Sequence, residues 1–198
     1  MTKQRLESFS DGVFAIVITL LILDVRVPSG ALTLAALRAM APSALAFVLS
    51  FAIGGVYWVS HHMMLHRMDA VDRRLLWTNL LLLLFVVFLP VPTAMLSRHA
   101  ENPLALACYG ANLIAVNGAG LLLWLHGTAI RQAGPLPQRL HRLVVRVHSA
   151  PAFVYAAAIA LGFVCSTASL VLFALVPAFF ILPHPWLDRW MAEADREG

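Results

Sequence analysis

The sequence predicts an all-α, polytopic membrane protein with six transmembrane helices, and three observations carry that prediction. Hydrophobic residues make up 61% of the chain and charged residues 12%, with a mean hydropathy of +0.81. A soluble domain of 198 residues has too little interior to hide that much apolar surface, so lipid must be the solvent. Apolar runs recur along the whole chain, at the roughly 20 residues needed to cross a hydrocarbon core of about 30 Å. Arginine and lysine gather in alternate connecting segments, as in a multi-pass topology.

The first span is expected over 8–25. Lys3 and Arg5 precede it, but Glu7, Ser10 and Asp11 follow without a small-residue cleavage site, so no removable signal peptide is expected. Pro28, Ser29 and Gly30 close this span. The second is expected over 40–62 and the third over 75–96. Asn102 and Pro103 precede the fourth, 104–130. Gly134, Pro135 and Pro137 then open a basic stretch from Arg139 to Arg146. Beyond it, only Cys165, Ser166 and Thr167 interrupt the apolar run from Ala150 to Leu182. As one helix that run would be about 50 Å long, too long for a single crossing. A tight hairpin is expected instead, with spans at 147–164 and 168–186. Trp186 and Trp190 read as interfacial anchors and residues 188–198 as a solvated helix end. Residues 1–198 form one domain, with no internal repeat.

Orientation follows the arginines and lysines. With the amino terminus cytoplasmic, inner segments hold Lys3, Arg5, Arg67, Arg73, Arg74, Arg131, Arg139, Arg142, Arg146, Arg189 and Arg196, eleven of the fourteen basic residues. Outer loops hold Arg26, Arg38 and Arg98. Both termini are therefore expected on the cytoplasmic side of a cell membrane. The sequence pI of about 9.7 does not point to nucleic acid, because the arginines lie between apolar segments, where lipid headgroups are the partner. Cys108 and Cys165 have neither metal-site spacing nor a disulfide framework and read as packing residues.

The first span holds the chemistry. Asp11 and Ser10 stand at the mouth of an apolar helix with Thr19 at mid-depth, and polar groups in a bilayer mark ion or proton pathways. Ile16, Leu20 and Leu23 form one stripe at i, i+4 and i+7, bordered by Thr19. Were several copies to meet around an axis, the stripe would stack into aliphatic rings that gate by dewetting, and threonine hydroxyls would replace part of a cation's hydration shell. In the plainer alternative these residues face lipid or core, and Thr19 bonds to its own helix carbonyl.

Arg5, Phe9, Ser10 and Asp11 form R-x-x-x-F-S-D, followed by Gly12; Trp58 and His61 form W-x-x-H; Asn79 to Pro90 read NLLLLLFVVFLP. With these motifs the first 95 or so residues resemble the transmembrane protein 175 family, the potassium channels of endosomes and lysosomes and their prokaryotic relatives. The rest matches in hydropathy and span count. The resemblance implies a passive potassium channel lined by the first helix of four six-helix repeats, hence a homotetramer of this single-repeat chain. It places the narrowest constriction at Ile16, with Leu20 and Leu23 as the next rings, and potassium preference at Thr19. Neither the family nor this sequence has a T-V-G-Y-G carbonyl filter, so selectivity must come from side chains, and a single threonine ring implies a moderate one. Arg5, Phe9, Ser10 and Asp11, with His61 and Asn79, are implied to brace the pore helix. Arg5, Asp11 and a partner such as His61 or Asn79 would satisfy one another by charge-assisted hydrogen bonds, and His62 is a second candidate imidazole.

Two rivals keep a basis in the residues. His62 and His66 at i, i+4, with His126, His141 and His148 near the same end, would suit a metal or haem. Asp11 near histidines would suit a proton-coupled transporter or a proton leak through the same pore. Against the transporter, the later spans carry no carboxylate at mid-depth and show no inverted repeat. No nucleophile and base pair at membrane depth, so catalysis is not expected, and no span carries arginines at every third position for voltage sensing. No cofactor or resident metal is expected. Potassium is the cargo that the resemblance implies.

Overall fold

The computed structural model describes residues 2–25, 27, 30–132 and 137–182. Among these, every regular element is helical: α1 (Lys3–Leu20), which tightens into a 3-10 turn over Leu21–Asp24; α2 (Leu34–Ala39); α3 (Ala41–His66); α4 (Arg73–Phe88); α5 (Pro90–Arg98); α6 (Pro103–Ala129); α7 (Gln138–Gly162); and α8 (Ser166–Ile181). Helix starts fall where side chains satisfy free backbone donors. Thr2 accepts from the Arg5 N–H, Thr33 from Ala36, Asp72 from Leu75, and Asn102 from Leu104 with Pro103 at the first helical position.

Five stretches are long and apolar enough to cross a membrane: Lys3–Asp24, Ala41–His66, Arg73–Arg98, Pro103–Ala129 and Gln138–Gly162. The sixth apolar helix, α8, has 16 residues, which at about 1.5 Å each reach about 24 Å. The expected hairpin before it is present as a turn at 163–165. Three boundaries differ from expectation. The third span is two helices, broken at Leu89 because Pro90 has no N–H to give its preceding turn. The fifth starts at Gln138, not 147, because hydropathy reports burial in lipid, whereas the Arg139–Arg146 stretch is rich in good helix formers. The short α2 lies in a segment read as loop. Arg26, Pro28, Ser29, Gly134, Pro135, Trp186, Arg189, Trp190 and Arg196 lie outside the described residues.

Cross-helix contacts fix the ends. The Lys3 ammonium donates to the His66 carbonyl at 2.9 Å, and Arg131 Nε to the Arg67 carbonyl at 3.2 Å, which brings the start of α1 and the ends of α3 and α6 together at one basic end. At the opposite end Arg98 pairs with Asp24 at 2.8 Å. The core is centred on α6, whose Leu106, Tyr109, Leu113, Leu123 and Trp124 are fully buried. Small residues let α7 come close: a Cβ on Gly110 would lie 2.5 Å from Ile159 Cγ1. Ser50, Thr93 and Tyr109 form a buried hydroxyl cluster joining α3, α5 and α6. Both cysteines, read as packing residues, are exposed on the surface of the single chain. An apolar neighbourhood in sequence did not distinguish a core-facing position from an exposed one.

Candidate functional site

Helix α1 has two unlike faces. Leu6, Ser10, Phe14, Val17 and Leu21 are buried at steps of three or four residues, against α3 and α4. The other face is open: Ile16 is 60% exposed, Leu20 45% and Leu23 71%, in line with exposed Phe9, Gly12 and Thr19. A Cβ at Gly12 would touch nothing within 4 Å. Ile16 and Leu20 are separated by about 6 Å of helix, and the tighter 3-10 turn carries Leu23 about 6 Å further. The aliphatic stripe is thus about 12 Å long.

Thr19 lies within it. Its hydroxyl donates to the Ile16 carbonyl at 2.8 Å, the self-satisfying bond of the plainer reading. That bond uses the only proton, so what the exposed hydroxyl still offers is an acceptor oxygen. Such an oxygen suits a cation.

Behind the stripe runs a buried chain of hydrogen bonds whose direction can be derived. Ser10 Oγ donates to the Leu6 carbonyl at 2.9 Å, so it must accept from Asn79 Nδ2 at 3.0 Å. Asn79 then turns its carbonyl oxygen to His61, and the 2.8 Å contact makes His61 Nε2 the donor. Among the described residues His61 Nδ1 has no hydrogen-bond partner, and the ring lies 5.3 Å from that of Phe14. Three helices are joined without a net charge: α1 by Ser10, α3 by His61 and α4 by Asn79.

Asp11 belongs to a different contact. Its Oδ1 accepts from the indole N–H of Trp58 at 2.9 Å. The expected cluster of Arg5, Asp11 and His61 or Asn79 is therefore corrected: Asp11 pairs with Trp58, His61 pairs with Asn79, and the exposed Arg5 side chain joins neither contact. Phe9 lies on the open face and not against the brace. The signal for the Trp58 partnership was in W-x-x-H, since a spacing of three puts both side chains on one helical face. His62 is exposed and lies between Trp58 and His66, tilted to the indole at 6.1 Å and stacked on the His66 ring at 6.5 Å between centroids.

The other histidines do not converge. His126 Nε2 is 2.9 Å from the Asp72 carboxylate, His141 lies 6.2 Å from the Trp124 ring, and His148 bonds the Val144 carbonyl. Asp72 lies in the loop before α4, where the Leu75 N–H and then His126 hold its carboxyl below the usual range. Of the two asparagines in the fourth span, Asn117 donates to Tyr57 across helices at 2.8 Å, while the buried Asn112 amide has no partner among the described residues.

Residues 5–90 match the family model described as endosomal/lysosomal potassium channel TMEM175. A potassium channel of Streptomyces collinus is 45% identical over 132 residues, covering 63% of this chain and 64% of that protein. The human endosomal/lysosomal proton channel TMEM175 is 41% identical over 115 residues, covering 52% of this chain and 23% of that protein. Among solved structures, a lysosomal potassium-selective channel TMEM175 homolog from Chamaesiphon minutus superposes with a TM-score of 0.80 at 31% identity, over 90% of this chain and 95% of that one. The matches to the curated bacterial relatives span 59–64% of those proteins' lengths.

Proposed function

Because this chain belongs to the TMEM175 family of endosomal/lysosomal potassium channels, we propose that four copies meet around the open face of α1 and conduct potassium passively along it. The family is one of ion channels, not of enzymes. The observation that carries the reading is the division of α1 into a fully packed face and an open one that bears Ile16, Thr19, Leu20 and Leu23. Lipid would satisfy the aliphatic side chains, but it gains nothing from the bare Gly12 or the Thr19 oxygen.

In the assembly, rings of Ile16, Leu20 and Leu23 form a constriction about 12 Å long that excludes water when narrow and conducts when widened. Thr19 oxygens give a partly dehydrated cation ligands at mid-constriction. One ring of hydroxyls replaces only part of a hydration shell, so potassium is preferred moderately over sodium. The Ser10–Asn79–His61 chain and the Asp11–Trp58 bond hold α1 from behind, so Ser10, Asp11, His61 and Asn79 position the pore helix and do not touch the ion. The basic end faces the cytoplasm, in keeping with the positive-inside rule.

Potassium flux into liposomes holding the purified protein tests this. Ile16→Asn is expected to raise flux by wetting the constriction, and Thr19→Ala to reduce potassium preference over sodium. Wild-type flux no greater than that of empty liposomes, after clean reconstitution, would overturn the reading. A proton pathway through the same pore is favoured by the names of the mammalian relatives, proton channels. An internal pH dye in the same liposomes would report it.

A further inference from the structure

The first turns of α1 carry a charge that neither brace uses. The Arg5 side chain is exposed, lies outside both the Ser10–Asn79–His61 chain and the Asp11–Trp58 bond, and forms no ion pair among the described residues. Its place on the helix follows from its phase. Arg5 precedes Ile16 by eleven residues, which at 3.6 residues per turn is three turns to within about 20°. Both therefore lie in one line along the open face, with exposed Phe9 and Gly12 between them. Arg5 stands about 16 Å from Ile16 toward the basic end.

The other charges of α1 are turned elsewhere. The Lys3 ammonium bonds the His66 carbonyl of α3 at 2.9 Å and lies 3.6 Å from Glu7, with both side chains partly buried. Asp11 gives its carboxylate to the Trp58 indole of α3. Of the charged side chains in α1, Arg5 alone continues the line of Ile16, Leu20 and Leu23.

We propose that Arg5 rings the mouth of the pore at the basic end and governs which cations enter there, holding back divalent cations more than potassium. The inference rests on the four-copy pore proposed above. Packed helices lie about 8–10 Å apart, so a ring of four at a mouth somewhat wider than that contact puts each guanidinium about 10 Å from the axis. Four such charges in water lower a monovalent cation's concentration at the ring's centre about twofold at about 0.15 M salt and about sevenfold at about 0.01 M. The energy doubles with the charge of the ion, so a divalent cation is held back about fivefold at about 0.15 M. Removing Arg5 changes the field by this amount whatever Asp11, Glu7 and Lys3 contribute, because their fields add to that of Arg5. A guanidinium stays charged at every working pH, so the ring screens with salt and does not titrate.

Single-channel recording of the full-length protein in planar bilayers tests the proposal, with potassium chloride at about 0.01 M or about 0.15 M on both sides. At one polarity of voltage, Arg5→Gln is expected to raise the current about sevenfold at the lower salt and about twofold at the higher. Arg5→Lys keeps the charge and should conduct as wild type. Added magnesium chloride should block Arg5→Gln at about fivefold lower concentration than wild type at the higher salt. Arg5→Cys, with Cys108 and Cys165 changed to serine, varies the charge within one folded protein. A trimethylammonium thiosulfonate reagent should lower its current toward that of wild type, and a sulfonate reagent of similar size should raise it. A thiol that neither reagent reaches in the conducting channel would place this side chain at a contact between copies and overturn the ring. The same response to both reagents, or an Arg5→Gln current equal to that of wild type at the lower salt, would also overturn it. A conducting channel indifferent to the charge on this residue refutes the ring alone, whereas a wild type that passes no current refutes the pore and the ring together.

Discussion

Replacing Asn79 with leucine asks how much the buried hydrogen-bonded chain contributes. Leucine is close in size, so the change removes two hydrogen bonds with little change in packing. Ser10 keeps its bond to the Leu6 carbonyl and loses only a donor. His61 fares worse, because among the described residues Nδ1 already has no partner and Nε2–H would lose the acceptor it has. An orphaned buried donor costs about 1–3 kcal/mol, whereas interhelical hydrogen bonds in a bilayer average about 0.6 kcal/mol, since the unfolded chain also finds partners there. The ring is buried on every side, so the larger figure should govern. For a chain of this size, 1 kcal/mol moves the unfolding temperature by roughly 2–4 °C, which puts the expected fall at about 2–12 °C. Intrinsic fluorescence during heating of the purified protein reads it. The double variant His61→Phe, Asn79→Leu leaves no orphan and should recover much of the loss, a coupling detectable in a double-mutant cycle. An unchanged Asn79→Leu protein, or a double variant that falls by the sum of the singles, would refute the derived chain.

The close approach of α6 and α7 gives a second test. Gly110→Val puts a branched side chain where even a Cβ would lie 2.5 Å from Ile159 Cγ1, and the overpacking cost of about 1–3 kcal/mol or more should appear as a lower unfolding temperature or loss of the folded peak in size exclusion. The Asp72 carboxyl, held low by Leu75 and His126, adds stability that is present above its unfolded value near pH 3.9 and fades as pH falls through the lower folded value. Asp72→Asn keeps the helix cap but not the charge. Wild type should therefore unfold at a higher temperature than the variant at pH 7, with the gap closing below about pH 4. A gap of constant size down to pH 2 would contradict this.

Most of the fold was legible because a bilayer makes length and hydropathy nearly sufficient: the hairpin at Cys165 and the separate crossings follow from those alone. The boundaries that failed did so for local reasons. Pro90 divides a span that hydropathy reads as continuous, and Arg139–Arg146 is helical although it is not apolar. The stripe of Ile16, Leu20 and Leu23 could be read from spacing, but not whether it faced core or open surface, since periodicity carries no sign. The brace was legible as a set of residues and not as pairs. A carboxylate, an arginine and a histidine suggested ion pairing, whereas the fold satisfies Asp11 with a neutral indole and keeps His61 in an uncharged chain.

The central claim is that the open face of α1 lines the ion path. Silver block of a single cysteine tests it most directly, in a background with the exposed Cys108 and Cys165 changed to serine. Ile16→Cys is expected to lose potassium flux within seconds of silver addition, while Phe153→Cys, 76% exposed on α7, keeps its flux. Undiminished flux through Ile16→Cys, with the thiol shown to have reacted, would place the ion path elsewhere and contradict the account.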